Sequence, residues 1–230
     1  MNINGIQKLT LLDFPGRTAC TVFLAGCDLR CPFCHNSELW EATAPAVMDD
    51  NELLSFLEKR RGLLEGVAFT GGEALLRPEL PELMRKIKAL GYAVKLDTNG
   101  TQPDKLASLI EEGLVDYIAM DIKNDPERYA LTCGRETLDC GAITRSIALL
   151  MENRVEYEFR TTVVKPFHDE TSFINIARMI EGAENYYLQP FADRDTVLYK
   201  GFAAPTKEEL QRYLEIIRPH VKHAEIRGME

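Results

Sequence analysis

The chain has 230 residues, 45% of them hydrophobic and 27% charged, with a formal net charge of -9 and a pI of about 5.1. That length supports one sizeable core in a single domain spanning 1–230, no apolar run approaches the roughly 18 residues of a membrane span, and the acidic balance argues against a general nucleic-acid binder. The opening MNINGIQKLTLLDFPG lacks the basic start and apolar core of a signal peptide, so a cytoplasmic protein is expected.

Apolar β-branched runs alternate with helical patterns along the chain. A first strand is predicted from Ala19 to Leu24, followed by a cysteine-bearing loop. Asp49 caps the next helix, with Glu52 three residues on and Leu53, Leu54 and Leu57 on one face. Val67 to Thr70 reads as a short buried strand. Pro78 then opens a helix carrying Leu80, Leu83, Met84, Ile87 and Leu90, and Gly91 ends it. A strand from Ala93 to Leu96 precedes a helix marked by Leu106, Leu109 and Ile110 and closed by Gly113. Tyr117 to Met120 is the next strand, and Ile143, Ile147 and Leu150 lie on the next helix. Val155 to Val164 alternates as a longer strand, Phe173 to Ile180 is helical, and Tyr186 to Leu188 is a strand. Phe191 to Pro205 reads as a long loop. Thr206 and Glu209 form a capping box for a helix with Leu210, Tyr213, Leu214 and Ile217, and a last strand runs from Val221 to Ile226.

Strands alternating with helices imply parallel βα units. Six units are too few for a closed eight-unit barrel, which typically takes about 250 residues. The expected fold is therefore α/β, a partial, open (β/α)6-type parallel barrel whose gap would admit something large.

Three cysteines carry the sharpest chemistry. Cys27, Cys31 and Cys34 stand in GCDLRCPFCHN as C-x3-C-x2-C, with no fourth cysteine close by. A structural zinc site normally closes with four ligands. An iron–sulfur cluster held by three thiolates instead leaves one iron open to a substrate or cofactor. Of the other cysteines, Cys20 lies in the apolar run ACTVFLAG and reads as core. Cys133 and Cys140 flank GRETLD, could pair only with each other, and read as free thiols.

Parallel βα folds present reactive groups at the C-terminal ends of their strands. Here those ends run into Gly71-Gly72-Glu73, Asp97-Thr98-Asn99-Gly100 and Asp121-Ile122-Lys123. Glu73, Asp97 and Asp121 are each 24 residues apart, one βα unit, so three carboxylates are expected at equivalent heights beside the cysteine loop. Gly71 and Gly72 would leave the backbone open to close approach. Glu73 can accept hydrogen bonds from a cationic amine, and Lys123 can meet a carboxylate. Asp97, Thr98 and Asn99 suit ribose hydroxyls or a small cation. A ligand with an ammonium, a carboxylate and a ribose matches this set, and S-adenosylmethionine has all three. Taken singly, GGE and DTNG are also turn signals, and Lys123 alone reads as a surface lysine.

The cysteine motif, with the aromatic Phe33 before its last cysteine and Gly71-Gly72-Glu73 after it, resembles that of radical S-adenosylmethionine (SAM) enzymes. The opening IQKLTLLDFPGRTACTVFLAGCDLRCPFCHN more narrowly resembles activating proteins of anaerobic ribonucleoside-triphosphate reductase, which are activases of a glycyl radical enzyme. The resemblance implies that Cys27, Cys31 and Cys34 hold a [4Fe-4S] cluster, that Phe33 lies near the adenine, and that Glu73 binds the methionyl amine. It puts Asp97 and Thr98 by the ribose, or sharing a monovalent cation with Asp121 as in related activases, and Lys123 near the carboxylate of SAM. Arg160, in EFRTTVV, matches an arginine that contacts the cofactor in related activases; pairing with a structural carboxylate such as Glu158 is the alternative. Some related activases carry a late-strand histidine where this chain has Gln189-Pro190-Phe191. His35 and Asn36 read as loop-shaping groups, and His168, His220 and His223 as surface residues. With no second set of clustered cysteines, one cluster is expected.

The implied activity is one-electron cleavage of SAM to methionine and a 5′-deoxyadenosyl radical, which removes a hydrogen from the Cα of a glycine in the anaerobic reductase. No general acid or base is required, and a flavodoxin or ferredoxin is the implied reductant. Two alternatives remain at this stage: a radical SAM enzyme acting on a pterin-like or deazaguanine precursor, and a zinc- or cluster-stabilised interaction module.

Overall fold

The computed structural model describes residues 1–228. Its frame is one eight-stranded sheet made of β2 (Gly5–Thr10), β3 (Ala19–Leu24), β5 (Gly66–Gly71), β6 (Ala93–Thr98), β7 (Tyr117–Asp121), β8 (Glu156–Val163), β9 (Asn185–Pro190) and β10 (His223–Ile226). β1 (Asn2–Ile3) and β4 (Met48–Asp49) form a separate antiparallel pair. The seven strands from β3 through β10 run parallel, and β2 alone pairs antiparallel, on β3. β2 and β10 are the two edges and do not pair with each other, so the curled sheet stays open, as expected.

Seven helices complete the chain: α1 (Asp50–Glu58), α2 (Leu80–Ala89), α3 (Pro103–Glu111), α4 (Tyr129–Thr132), α5 (Cys140–Met151), α6 (Glu170–Met179) and α7 (Lys207–Ile217) among the described residues. The capping boxes expected at Asp49/Glu52 and Thr206/Glu209 are both formed, and Asp169/Ser172 makes a third at α6. None of these helices is long and apolar enough to cross a membrane.

Side chains alternate along each strand, which splits the sheet into two chemically different faces. Val94, Leu96, Ile118, Met120, Phe159, Tyr186 and Leu188 point one way and join Leu83, Ile87, Leu106 and Ile147 from the helices in the main core. The opposite face lines the barrel interior. At its lower end Phe14, Ala19, Tyr117 and Ala119 form a small separate apolar plug. Above the plug the interior is ionic, with Lys95, Asp97, Asp121, Lys123, Glu158 and Arg160 joined by salt bridges.

Two expectations about this frame change. The edge strand β2 carries its middle residues exposed, so its sequence GIQKLT shows none of the apolar alternation that marks a half-buried strand. The three carboxylates do not share one height either. Asp97 sits in register with Ala119, so Asp121 lies two residues further up its strand, and Glu73 lies beyond the end of β5 in the turn that follows.

Candidate active site

The cysteine loop leaves the top of β3 and folds back over the strand ends. Its course is fixed by backbone hydrogen bonds from Gly26 N to Leu39 O (2.9 Å), Cys27 N to Trp40 O (3.0 Å) and Arg30 N to Cys133 O (2.9 Å). Leu29 N and Asn36 N donate to the sulfurs of Cys27 and Cys34, both at 3.4 Å. Such N–H···S contacts orient the sulfurs before any metal arrives. Burial pushes the Cys27 thiol up to about 12 and raises Cys34 as well. These sulfurs therefore hold their protons until a metal displaces them.

Cys27, Cys31 and Cys34 line one cavity of about 800 Å³, its open mouth included, a size suited to a small-molecule ligand. The same wall carries Phe33, Gly71, Gly72, Asp97, Thr98, Asn99, Asp121, Lys123 and Arg160. The structure thus gathers nearly every residue singled out from the sequence around one space. Glu73 is the exception: it is 0% exposed and does not line the cavity. Its Oε1 accepts from Thr98 Oγ1 (2.9 Å) and Leu75 N (3.2 Å), and its Oε2 accepts from Asn99 N (2.7 Å). Instead of offering a free carboxylate to an amine, Glu73 ties the end of β5 to the end of β6. Burial lifts it to about 7 against the three donors that favour the anion.

The two glycines line the cavity and also sit under close backbone contact. A Cβ on Gly72 would lie 2.2 Å from the carbonyl oxygen of Gly26, and one on Gly71 2.5 Å from that of Leu24. Gly71 adopts a φ of 117°. Their small size lets β5 press against the root of the cysteine loop, and Asn36 Nδ2 donates to Gly71 O at 3.1 Å.

The ionic interior forms the floor of the cavity. Arg160 Nε lies 3.0 Å from Asp121 Oδ1, its Nη2 lies 3.4 Å from Asp97 Oδ2, and its Nη1 is 4.0 Å from Glu158. Arg160 thus lines the cavity and pairs with structural carboxylates at the same time. Lys123 Nζ is 2.9 Å from Asp121 Oδ2. Burial works against ionising Asp97 and Asp121, but the adjacent cations outweigh it. Arg160 and Lys95 hold Asp97 below the usual carboxylate range, and Lys123 and Arg160 bring Asp121 to about 2.

Other residues hold this frame. Asn99 is spent on the loop, donating through Nδ2 to Asp28 at 2.9 Å and accepting from Thr101, so it offers less to a ribose than its sequence suggests. His35 shapes the loop as expected, with Nε2 2.7 Å from Ala192 O and its ring stacked on Phe191 at 5.5 Å. His168 is not a surface residue. It is buried, and its Nε2 lies 2.9 Å from Lys123 O, bracing the strand end that presents Lys123. Cys133 is free and fully buried, and its thiol beside Cys31 holds Cys31 below the usual thiol range. Lys95 and Asp28 were not picked out from the sequence. The signal for Lys95 was present, since KLD puts a base and an acid two apart on one strand face.

Residues 21–180 match the model of the Radical SAM superfamily. The chain belongs to that superfamily. A Methanocaldococcus jannaschii protein provisionally named a glycyl-radical enzyme activating enzyme is 29% identical over 236 residues, covering 98% of this chain and 95% of that protein. A pyruvate formate-lyase-activating enzyme of Clostridium pasteurianum is 28% identical over 200 residues, covering 82% of this chain and 81% of its own length. A radical SAM methyltransferase from Sphaerobacter thermophilus shares the fold with a TM-score of 0.75 at 18% identity, over 95% of this chain and 68% of that one.

Radical SAM proteins are implied to use SAM and a [4Fe-4S] cluster, and the residues here fit both. Three free cysteines face one cavity. The triplet offers three thiol ligands, one fewer than a closed structural zinc site uses. Beside them, Lys123 and Arg160 offer positive charge to a carboxylate, and Asp97 and Thr98 line the same wall.

Proposed function

We propose that this radical SAM protein is the activase of a glycyl radical enzyme, and that its partner is anaerobic ribonucleoside-triphosphate reductase. The observation that carries the reading is the end-to-end likeness to the Methanocaldococcus jannaschii protein, which leaves almost no part of either chain unmatched. The opening motif IQKLTLLDFPG supports the reductase as the particular target.

When bound, the cluster and SAM supply one-electron cleavage to a 5′-deoxyadenosyl radical that abstracts hydrogen from a glycine Cα. The chain's own residues hold and orient. Cys27, Cys31 and Cys34 would each hold an iron, and the N–H groups of Leu29 and Asn36 would stabilise the Cys27 and Cys34 thiolates. Lys123 and Arg160 favour the SAM carboxylate, Asp97 and Thr98 the ribose, and Phe33 the adenine. Glu73 acts from behind the wall by fixing Thr98 and the backbone of Asn99. Phe33 itself is braced by Phe167 and Phe202, with ring centroids 5.8 and 6.3 Å away. The gap between β2 and β10 leaves room for a partner loop. A flavodoxin or ferredoxin is the proposed reductant, and the cytoplasm the proposed compartment.

Anaerobically reconstituted protein, mixed with reductant and SAM, should release 5′-deoxyadenosine. No release above a Cys31→Ala control would overturn the enzymatic reading. Adding the reductase should produce a glycyl radical signal in electron paramagnetic resonance. Release without that signal, stimulated instead by a deazaguanine precursor, would move the protein to small-molecule chemistry.

A further inference from the structure

One buried cation in the barrel reaches the cavity only through Asp97. Lys95 lies in β6, 1% exposed, two residues before Asp97 on the same inward strand face. Its Nζ meets Oδ1 of Asp97. The other three oxygens of the two floor aspartates are also taken: Asp97 Oδ2 by Arg160 Nη2 at 3.4 Å, Asp121 Oδ1 by Arg160 Nε at 3.0 Å, and Asp121 Oδ2 by Lys123 Nζ at 2.9 Å. Glu158, the third interior carboxylate, pairs with Arg227 at 2.9 Å and accepts from Tyr117 OH at 2.7 Å. Three carboxylates thus face four side-chain cations, Lys95, Lys123, Arg160 and Arg227.

This arrangement does not fit the monovalent cation that Asp97 and Asp121 would share by resemblance to related activases. Such an ion needs carboxylate oxygens with unspent negative charge. Here an added cation would be a buried charge without a counter-charge. We propose that Lys95 supplies the positive charge from within the chain, so that the cofactor pocket keeps Asp97 ionised and oriented without a monovalent metal ion. Lys95 is a positioning residue on this view, acting on the cavity through Asp97. The inference rests on membership of the radical SAM superfamily and not on the identity of the partner.

The test uses the reconstituted holoprotein with SAM and radioactive rubidium as the probe for a potassium-type ion. Equilibrium dialysis should find no saturable rubidium on the wild type. Its SAM dissociation constant should stay the same when potassium is replaced by choline at constant ionic strength. The Lys95→Met variant should take up rubidium saturably, and its SAM affinity should rise about tenfold with potassium over choline. Saturable rubidium on the wild type, or a tenfold loss of its SAM affinity in choline, overturns the proposal. So does a folded Lys95→Met variant that ignores both ions. Should that variant fail to fold, the wild-type dialysis still decides. No reductase enters these mixtures, so failure here is separate from failure of the activase reading.

Discussion

Replacing Glu73 with glutamine isolates one buried carboxyl whose charge the fold opposes. Glu73 is raised from an ordinary 4.5 to about 7, chiefly by burial. At about 1.4 kcal/mol per pKa unit this amounts to about 3 kcal/mol, undiminished by solvent because the side chain is 0% exposed. The sign follows from linkage. The folded carboxyl grips its proton more tightly than the unfolded one. Its stabilising contribution is therefore complete below about 4.5 and is lost as pH climbs through about 7. The Glu73→Gln variant has no proton to lose, and its cost in hydrogen bonding, where an NH2 replaces an acceptor facing Leu75 N or Thr98, does not change with pH. Anaerobic thermal unfolding of both proteins should show the wild type losing about 3 kcal/mol relative to the variant between about pH 5 and about pH 8. For a chain of this size that is roughly 6–12 °C in midpoint. A difference that stays flat across that range would refute the claim that burial outweighs the donors at Thr98, Asn99 and Leu75.

Two further outcomes follow from the packing. In the Gly72→Ala variant a Cβ would meet Gly26 O at 2.2 Å, and overpacking of this kind costs about 1–3 kcal/mol. The root of the cysteine loop should shift, and iron and sulfide per chain should fall while far-ultraviolet circular dichroism is retained. Arg160→Met would leave Asp97 and Asp121 short of a shared partner in a buried site, a change worth about 3–5 kcal/mol in thermal unfolding. Arg160→Lys should recover only part of that, because a single ammonium cannot replace the separate contacts of Nε and Nη2.

Much of the frame was legible because local signals and tertiary roles agree. Asp49 with Glu52 and Thr206 with Glu209 form the expected caps, and the buried strands carry the expected apolar runs. The cysteine triplet was legible for a related reason, since its spacing is local to one loop. What escaped depends on contacts between distant segments. β2 is held at an edge by its pairing with β3 and needs no apolar face of its own. His168 looks like any histidine until the fold sets it against the backbone of Lys123. Glu73 follows a strand as a ligand would, but its oxygens are claimed by Leu75 in its own turn and by Thr98 and Asn99 on the next strand.

The 24-residue spacing of Glu73, Asp97 and Asp121 shows how a periodic signal reports the length of a unit and not the height of a side chain. Equal spacing reflects equal unit length, whereas height in the barrel is set by register. Asp97 aligns with Ala119, so Asp121 stands two residues above it, while Glu73 lies beyond the end of β5 and off the cavity wall. Carboxylates buried in a narrow interior cannot all stay charged unless cations come with them. The sequence supplies those cations at a two-residue spacing in Lys95/Asp97, Asp121/Lys123 and Glu158/Arg160. Two strands each carry an acid and a base on one face, and the strand between them ends in Asp121 with Lys123 just beyond, which is the pattern of a self-neutralising wall. A site built to recruit a metal ion would show the acids without the bases. The chemistry of this interior is therefore read better from the acid–base pairs within each strand than from the acids taken across strands.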